Sequence, residues 1–238
     1  MKKTCLAMVF TSAILLSAAA CAAQPLTGSN TFSASPKHLN KSTDMACDFG
    51  AFVNETDPSG VNVRQAPKAT SKILGKIPPK YVNKEYGVTN VSFVEVRVIA
   101  SRDGWFLIGG AGDNELLTGK PERSMYEGQG WVSGKKLAVK TQASKARMAP
   151  NPKADVAFLV GSVLDGDSLS KPGYLVACEG NWVQLDYSLS KIPKDEIEDI
   201  KINPAARKNV PKDHVRGWVT RICDIQETSC SGLGGIPE

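Results

Sequence analysis

The sequence predicts an all-β protein built from two small β-barrels in tandem. Two observations support this fold class: 14 prolines and 21 glycines break the chain into short segments, and a set of landmarks occurs twice. The length of 238 residues is sufficient for two small domains. We expect residues 47–140 to form the first domain and residues 141–238 the second.

The internal repeat opens with an Arg-x-Ala-Pro motif at Arg64–Pro67 and again at Arg147–Pro150. An apolar run with a glycine follows in each copy, then a turn that leads into Trp105 or Trp182. Each copy closes on a Gly-Trp-Val triplet, which contains Trp131 in the first copy and Trp218 in the second; the chain's 4 tryptophans thus all fall at repeat positions. The segments between the landmarks are rich in β-branched residues, which predicts strands. Turns at Asp103-Gly104 and Gly180-Asn181 predict hairpins.

The motif Asn-Val-Arg-x-Ala-Pro, followed by Gly-Trp and Gly-Trp-Val, resembles the bacterial SH3 family, in two tandem copies over roughly residues 50–225. The resemblance implies two SH3-like barrels that bind peptidoglycan peptides or a protein partner. The second copy departs from the pattern because Lys145 stands where the first has Asn62. Both copies also carry a long insert before the Gly-Trp-Val strand, at 109–129 and 188–215, and we expect one insert to contact the partner.

The N-terminus predicts export to the periplasm or secretion. Lys2 and Lys3 precede an apolar run that ends in small residues, which is the pattern of a cleaved signal peptide over residues 1–23; an uncleaved membrane anchor is the alternative. Cys21 is a possible lipidation site, although ordinary cleavage is favoured because Ala18 occupies the position where lipoprotein signals usually carry a larger residue. Residues 24–46 are polar and predict a flexible linker.

Four cysteines follow the predicted signal peptide: Cys47, Cys178, Cys223 and Cys230. In an oxidising compartment this even number predicts two disulfides, with three possible connectivities, and unpaired buried thiols are the alternative. Residues 1–23 hold two lysines and no acid, so the formal charge of +5 becomes +3 after cleavage. So small a charge gives no reason to expect nucleic acid as a partner.

Catalysis, metal binding and cofactor binding have little support in the sequence. Of 2 histidines, His38 lies in the predicted linker and His214 lies next to Asp213 in the second insert. A cysteine peptidase would need Cys178 as a free thiol near His214, and disulfide pairing explains Cys178 better. We therefore expect a protein that is not an enzyme.

Candidate ligand contacts come from the repeat. Trp105 and Trp182 open strands after turns and can stack on a ligand, or they are half-buried barrel residues. Arg64 and Arg147 can contact an acidic ligand group, or they hold the following loop by bonding carbonyl groups. Asn62 and Tyr187 complete the set, whereas the tryptophans of the Gly-Trp-Val triplets are expected in the cores.

The sequence therefore predicts a non-catalytic envelope protein that binds peptidoglycan or an envelope protein, with membrane contact only through an acylated Cys21. Two linked weak modules would gain affinity if both contact one ligand. The alternative function is an inhibitor or immunity-type protein that binds a cell-wall-directed or secreted protein.

Overall fold

The computed structural model describes residues 43–85, 88–113, 123–159, 173–192, 194–197 and 200–223. The predicted signal peptide, Cys21, His38, Cys230 and most of the linker lie outside these residues. All of the described residues belong to one compact unit. No helix among them is both long and apolar enough to cross a membrane.

The all-β fold class is confirmed, because fourteen strands account for nearly all the regular structure of the described residues. Short 3₁₀ turns lie at Gly134–Lys136, Leu189–Lys191 and Pro204–Arg207, and one α-helical turn lies at Lys194–Ile197. The strands are β1 (Met45–Val53), β2 (Val61–Arg64), β3 (Ile73–Ile77), β4 (Tyr81–Glu85), β5 (Val88–Ser92), β6 (Glu95–Arg102), β7 (Trp105–Gly112), β8 (Gly130–Ser133), β9 (Leu137–Ala138), β10 (Lys145–Arg147), β11 (Val156–Leu159), β12 (Gly173–Glu179), β13 (Trp182–Ser188) and β14 (His214–Val219).

Two sheets carry the repeat with the same strand order. The first sheet runs β3-β2-β8-β7-β6-β1-β9 and the second runs β11-β10-β14-β13-β12. The five strands from β3 to β6 in the first sheet therefore correspond one to one with the whole second sheet. The register agrees as well, since Arg64 pairs with Trp131 and Arg147 pairs with Trp218.

The predicted closed barrels are wrong, because both sheets are open and end on edge strands. In the first sheet, Pro78 and Pro79 follow directly after β3, and proline cannot donate a hydrogen bond to a β-ladder. The chain leaves the sheet there, and β4 and β5 pair only with each other as a separate hairpin.

The strand β1 was not predicted, and it begins at Met45, inside the last two residues of the expected linker. It pairs antiparallel with β6 and with β9, so it extends the first sheet beyond the repeated unit. Its inner residues, including Phe49 and Val53, are buried.

The two sheets are joined through β1 and β12. A disulfide links Cys47 to Cys178, with Cα atoms 5.8 Å apart, so Cys47 is joined to the second half of the chain. Next to it, the Gly180 amide donates to the Ala46 carbonyl at 2.8 Å, and the Asp48 amide donates to the Gly180 carbonyl at 2.9 Å. Cys223 is also disulfide-bonded.

Gly134 lies where the two halves pack closely against each other. A Cβ atom at this position would lie 2.1 Å from the carbonyl oxygen of Leu175 in β12. Only glycine therefore allows the 3₁₀ turn after β8 to pack against the second sheet. The segment 133–144 contributes buried residues at Leu137, Val139 and Ala143.

Candidate functional site

A cleft of about 270 Å³ lies on the first sheet, and it gathers three of the predicted ligand residues. Asn62 and Arg64 point into it from β2, and Trp105 borders it from the start of β7. They meet because β8 pairs with both β2 and β7. The other lining side chains used below are Glu55, Asp57, Ser133 and Lys136.

The amide of Asn62 has unused hydrogen-bonding capacity. Its Oδ1 atom is buried and has no hydrogen-bond partner among the described residues. A buried polar atom without a partner is costly, so a ligand that donates an N–H or O–H group there would recover that hydrogen bond.

A carboxylate and an ammonium group form one wall of the cleft. Glu55 is buried; its Oε1 atom accepts hydrogen bonds from the amides of Thr56 at 2.8 Å and Asp57 at 3.0 Å, and its Oε2 atom is paired with Lys136. The Asp57 amide, together with the Lys136 ammonium, holds the pKa of Glu55 below its ordinary value of 4.5. The carboxylate is therefore ionised at neutral pH, and with Asp57, Arg64 and Lys136 it gives the cleft two acids and two bases.

Arg64 holds the loop that follows β2, as one of the two sequence-based interpretations expected. Its Nη1 atom donates to the Ser71 carbonyl at 2.7 Å. Arg147 does the same in the second sheet, where its Nη1 atom donates to the Ala154 carbonyl at 3.1 Å, also seven residues ahead. The shared Arg-x-Ala-Pro motif is therefore explained by a shared loop conformation.

The four tryptophans divide differently from the prediction. Trp131 is 2% exposed and packs with Ala100 and Leu107, with the Arg102 guanidinium 5.4 Å from its ring. Trp218, expected in a core, is only half-buried. Trp105 and Trp182 are also half-buried, which leaves part of each ring open to a ligand.

Tyr187 lies in the core and not at a ligand surface. It is 1% exposed and packs edge-on against Phe158, with ring centroids 5.5 Å apart. Burial raises the pKa of its hydroxyl far above the ordinary value of 10.0. The sequence held a signal for this placement, since Tyr187 is an odd number of residues from Trp182 and so faces the opposite side of β13.

His214 begins β14, and its partner is not the neighbouring Asp213. Its Nδ1 atom lies 2.6 Å from Asp186 Oδ1, and Arg216 Nη2 donates to Asp186 Oδ2 at 2.6 Å. Asp186 is 0% exposed, and the Arg216 guanidinium together with the hydrogen bond to His214 compensates for the burial of its charge. Burial, followed by the Asp186 carboxylate, raises the pKa of Tyr174 above its ordinary value.

The predicted alternative of a cysteine nucleophile does not fit this arrangement. Cys178 is disulfide-bonded, and thiol chemistry requires a free thiolate. Cys178 pairs with Val183 near one end of β13, whereas His214 pairs with Ser188 at the other end, roughly 16 Å away along the strand. Across the part of the chain that the structure describes, no three His, Cys, Asp or Glu side chains form a group that could hold a metal.

The second insert is largely part of the fold. Ala206 is buried, and Ile197, Ile200 and Ile202 pack against the core. In the first insert, the Arg123 side chain bonds both oxygens of Asp113 and the carbonyl of Pro79. Residues 114–122 of that insert lie outside the described residues.

Comparison with known proteins gives no match: no protein-family model, no curated protein and no solved structure matches this chain. The resemblance to bacterial SH3 domains therefore stays a prediction.

Proposed function

We propose that this chain is an exported, non-catalytic binding protein, made of two bacterial SH3-type modules, whose first module holds a peptide-like ligand of the cell envelope in the cleft at Asn62, Arg64 and Trp105. The observation that carries the proposal is the convergence of these three residues in one cleft.

The chemistry of the cleft fits a zwitterionic peptide ligand. Trp105 offers an aromatic surface, Asn62 offers an unpartnered acceptor, and the acids and bases are balanced in number. Peptidoglycan stem peptides carry amide groups together with charges of both signs, so they can use each of these features. An envelope protein could present the same groups in an exposed loop.

The test is retention of the full chain, expressed from Met1 and purified with its disulfides intact, on purified sacculi after a high-salt wash. Trp105→Ala and Asn62→Ala should each reduce retention by about tenfold or more, because each removes a central contact of the cleft. Trp182→Ala is the matched control, since Trp182 occupies the equivalent position in the second sheet and lies outside the cleft.

Circular dichroism and thermal unfolding must show that each variant stays folded. Equal retention of the two Trp→Ala variants would exclude this cleft as the binding site. Capture of one protein from a periplasmic extract, without retention on sacculi, would favour the inhibitor or immunity-type function instead.

A further inference from the structure

The outer edge of the second sheet is covered by the chain itself. Residues Lys201–Asn203 of the second insert lie antiparallel to β11, with Ile202 bridged to Phe158. The Leu159 amide donates to the Lys201 carbonyl at 3.0 Å, and the Asn203 amide donates to the Ala157 carbonyl at 2.8 Å. This short segment therefore occupies the edge as an added strand would.

The corresponding edge of the first sheet is β3, which pairs with β2 as β11 pairs with β10. Among the described residues, no segment pairs with the outer side of β3. Ile73, at the start of the strand, is 45% exposed. An uncovered edge presents backbone donors and acceptors that can pair with another extended chain.

The described part of the first insert takes a different path from the second. The Tyr126 ring lies over Gly75, where a Cβ atom would be 2.4 Å from Tyr126 Cδ2. This contact covers one face of β3 and not its hydrogen-bonding edge, because side chains point out of the plane of a sheet. The described part of the insert thus supports β3 from one face without supplying a strand.

The charged side chains beside the edge of β3 indicate which kind of chain can pair with it. Lys72 and Lys76 flank the Ile73–Gly75 segment, and both are exposed. Two copies of β3 placed edge to edge would bring these lysines together, which disfavours a second copy of this protein. An acidic strand would instead meet them with opposite charge.

We propose that the outer edge of β3 binds an extended, acidic segment of a partner protein as an antiparallel strand, in the way that Lys201–Asn203 occupies β11. This site is separate from the Trp105 cleft and does not depend on the function proposed for that cleft.

Hydrogen exchange of the full, disulfide-intact chain tests the proposal, with a capped synthetic peptide of the sequence of residues 198–204, EDIKINP, as the probe. Exchange in the fragment that contains β3 should slow about tenfold once the peptide concentration reaches about ten times its Kd. The same peptide with an N-methyl group on the amide of its asparagine should protect less, because the Asn203 amide is the backbone donor that faces β11 in the chain itself. The Lys72→Glu/Lys76→Glu variant should bind the probe about fivefold more weakly. The control is Lys153→Glu/Lys208→Glu, which changes the net charge equally at exposed positions of the second half.

Three results would overturn the proposal. The first is no protection of β3 at a peptide concentration of about 1 mM, which would half-saturate a site with a Kd of about 1 mM. The second is equal affinity of the two lysine variants for the peptide, and the third is protection of the β3 amides in the free protein as strong as that of the β11 amides. The last result would show that the chain covers this edge itself. None of these results bears on retention by sacculi, so the two proposals fail separately.

Discussion

The outer faces of the two sheets differ although their strands pair in the same order. In the first sheet Leu107 lies opposite Trp131, and the pair packs with Ala100 as a small apolar cluster. In the second sheet Gln184 lies opposite Trp218, and the next row along holds the ion pair of Asp186 with Arg216. A repeated topology therefore does not require repeated side-chain chemistry, because strand pairing depends on the backbone and on the inward-facing residues.

What the two sheets do share lies where the backbone makes the same turn. Both Arg-x-Ala-Pro loops are closed by an arginine that bonds a carbonyl seven residues ahead. Both inner faces place an apolar residue opposite the valine of the closing Gly-Trp-Val triplet: Phe106 lies opposite Val132, and Val183 lies opposite Val219. The repeated residues thus serve loop closure and core packing, whereas the residues of the ligand surface can differ between the copies.

The largest expected effect concerns the disulfide that joins the two sheets. The Cys47→Ser/Cys178→Ser variant should unfold with a free energy lower by about 4 kcal/mol, because the bond closes a long loop in the unfolded chain. The sequence separation of the two cysteines is 131 residues. Urea denaturation of the variant and of the oxidised parent protein measures the difference. An unchanged midpoint would show that the halves fold independently of the bond.

The two Gly-Trp-Val tryptophans give the next largest effect and test the comparison directly. Trp131→Ala should cost about 3 kcal/mol, because it empties a buried site in the apolar cluster. Trp218→Ala should cost about 1 kcal/mol, because the ring is half-exposed, so its removal loses less buried apolar surface and leaves a smaller cavity. Chemical denaturation followed by circular dichroism gives both values. Equal costs would mean that the outer face of the second sheet is as tightly packed as that of the first.

The smallest effect is the acid sensitivity that Glu55 gives to the first sheet. Because hydrogen bonds from the Asp57 amide and from Lys136 lower the pKa of Glu55, its ionised form stabilises the folded state at neutral pH. This stabilisation is complete above the ordinary value of 4.5 and is lost as the pH falls through the lower pKa of the folded state. The free-energy difference between the parent protein and Glu55→Gln should therefore shrink from pH 7 to pH 3. A difference that stays constant over this range would show that Glu55 does not titrate as described.

Several features of the fold and site were predictable because they depend on local sequence. The turns at Asp103-Gly104 and Gly180-Asn181 connect β6 to β7 and β12 to β13, since residues that tolerate positive φ angles favour tight hairpins. The repeat also predicted that Arg64 and Arg147 can hold the loops that follow them, and that Trp105 opens a strand after a turn. Strand β1 was missed because its residues Phe49–Val53 are all buried and so lack the alternation that marks a half-exposed strand.

By itself, the sequence determined the all-β class, the two-copy repeat and an even set of cysteines, because local propensity and spacing control these properties. Only the tertiary structure decided that Cys47 pairs with Cys178, that the sheets stay open, and that Asp186 is the partner of His214. Each of these depends on which distant strands become neighbours. The pairing of distant strands follows from the packing of whole sheets, so it cannot be predicted from any short stretch of sequence.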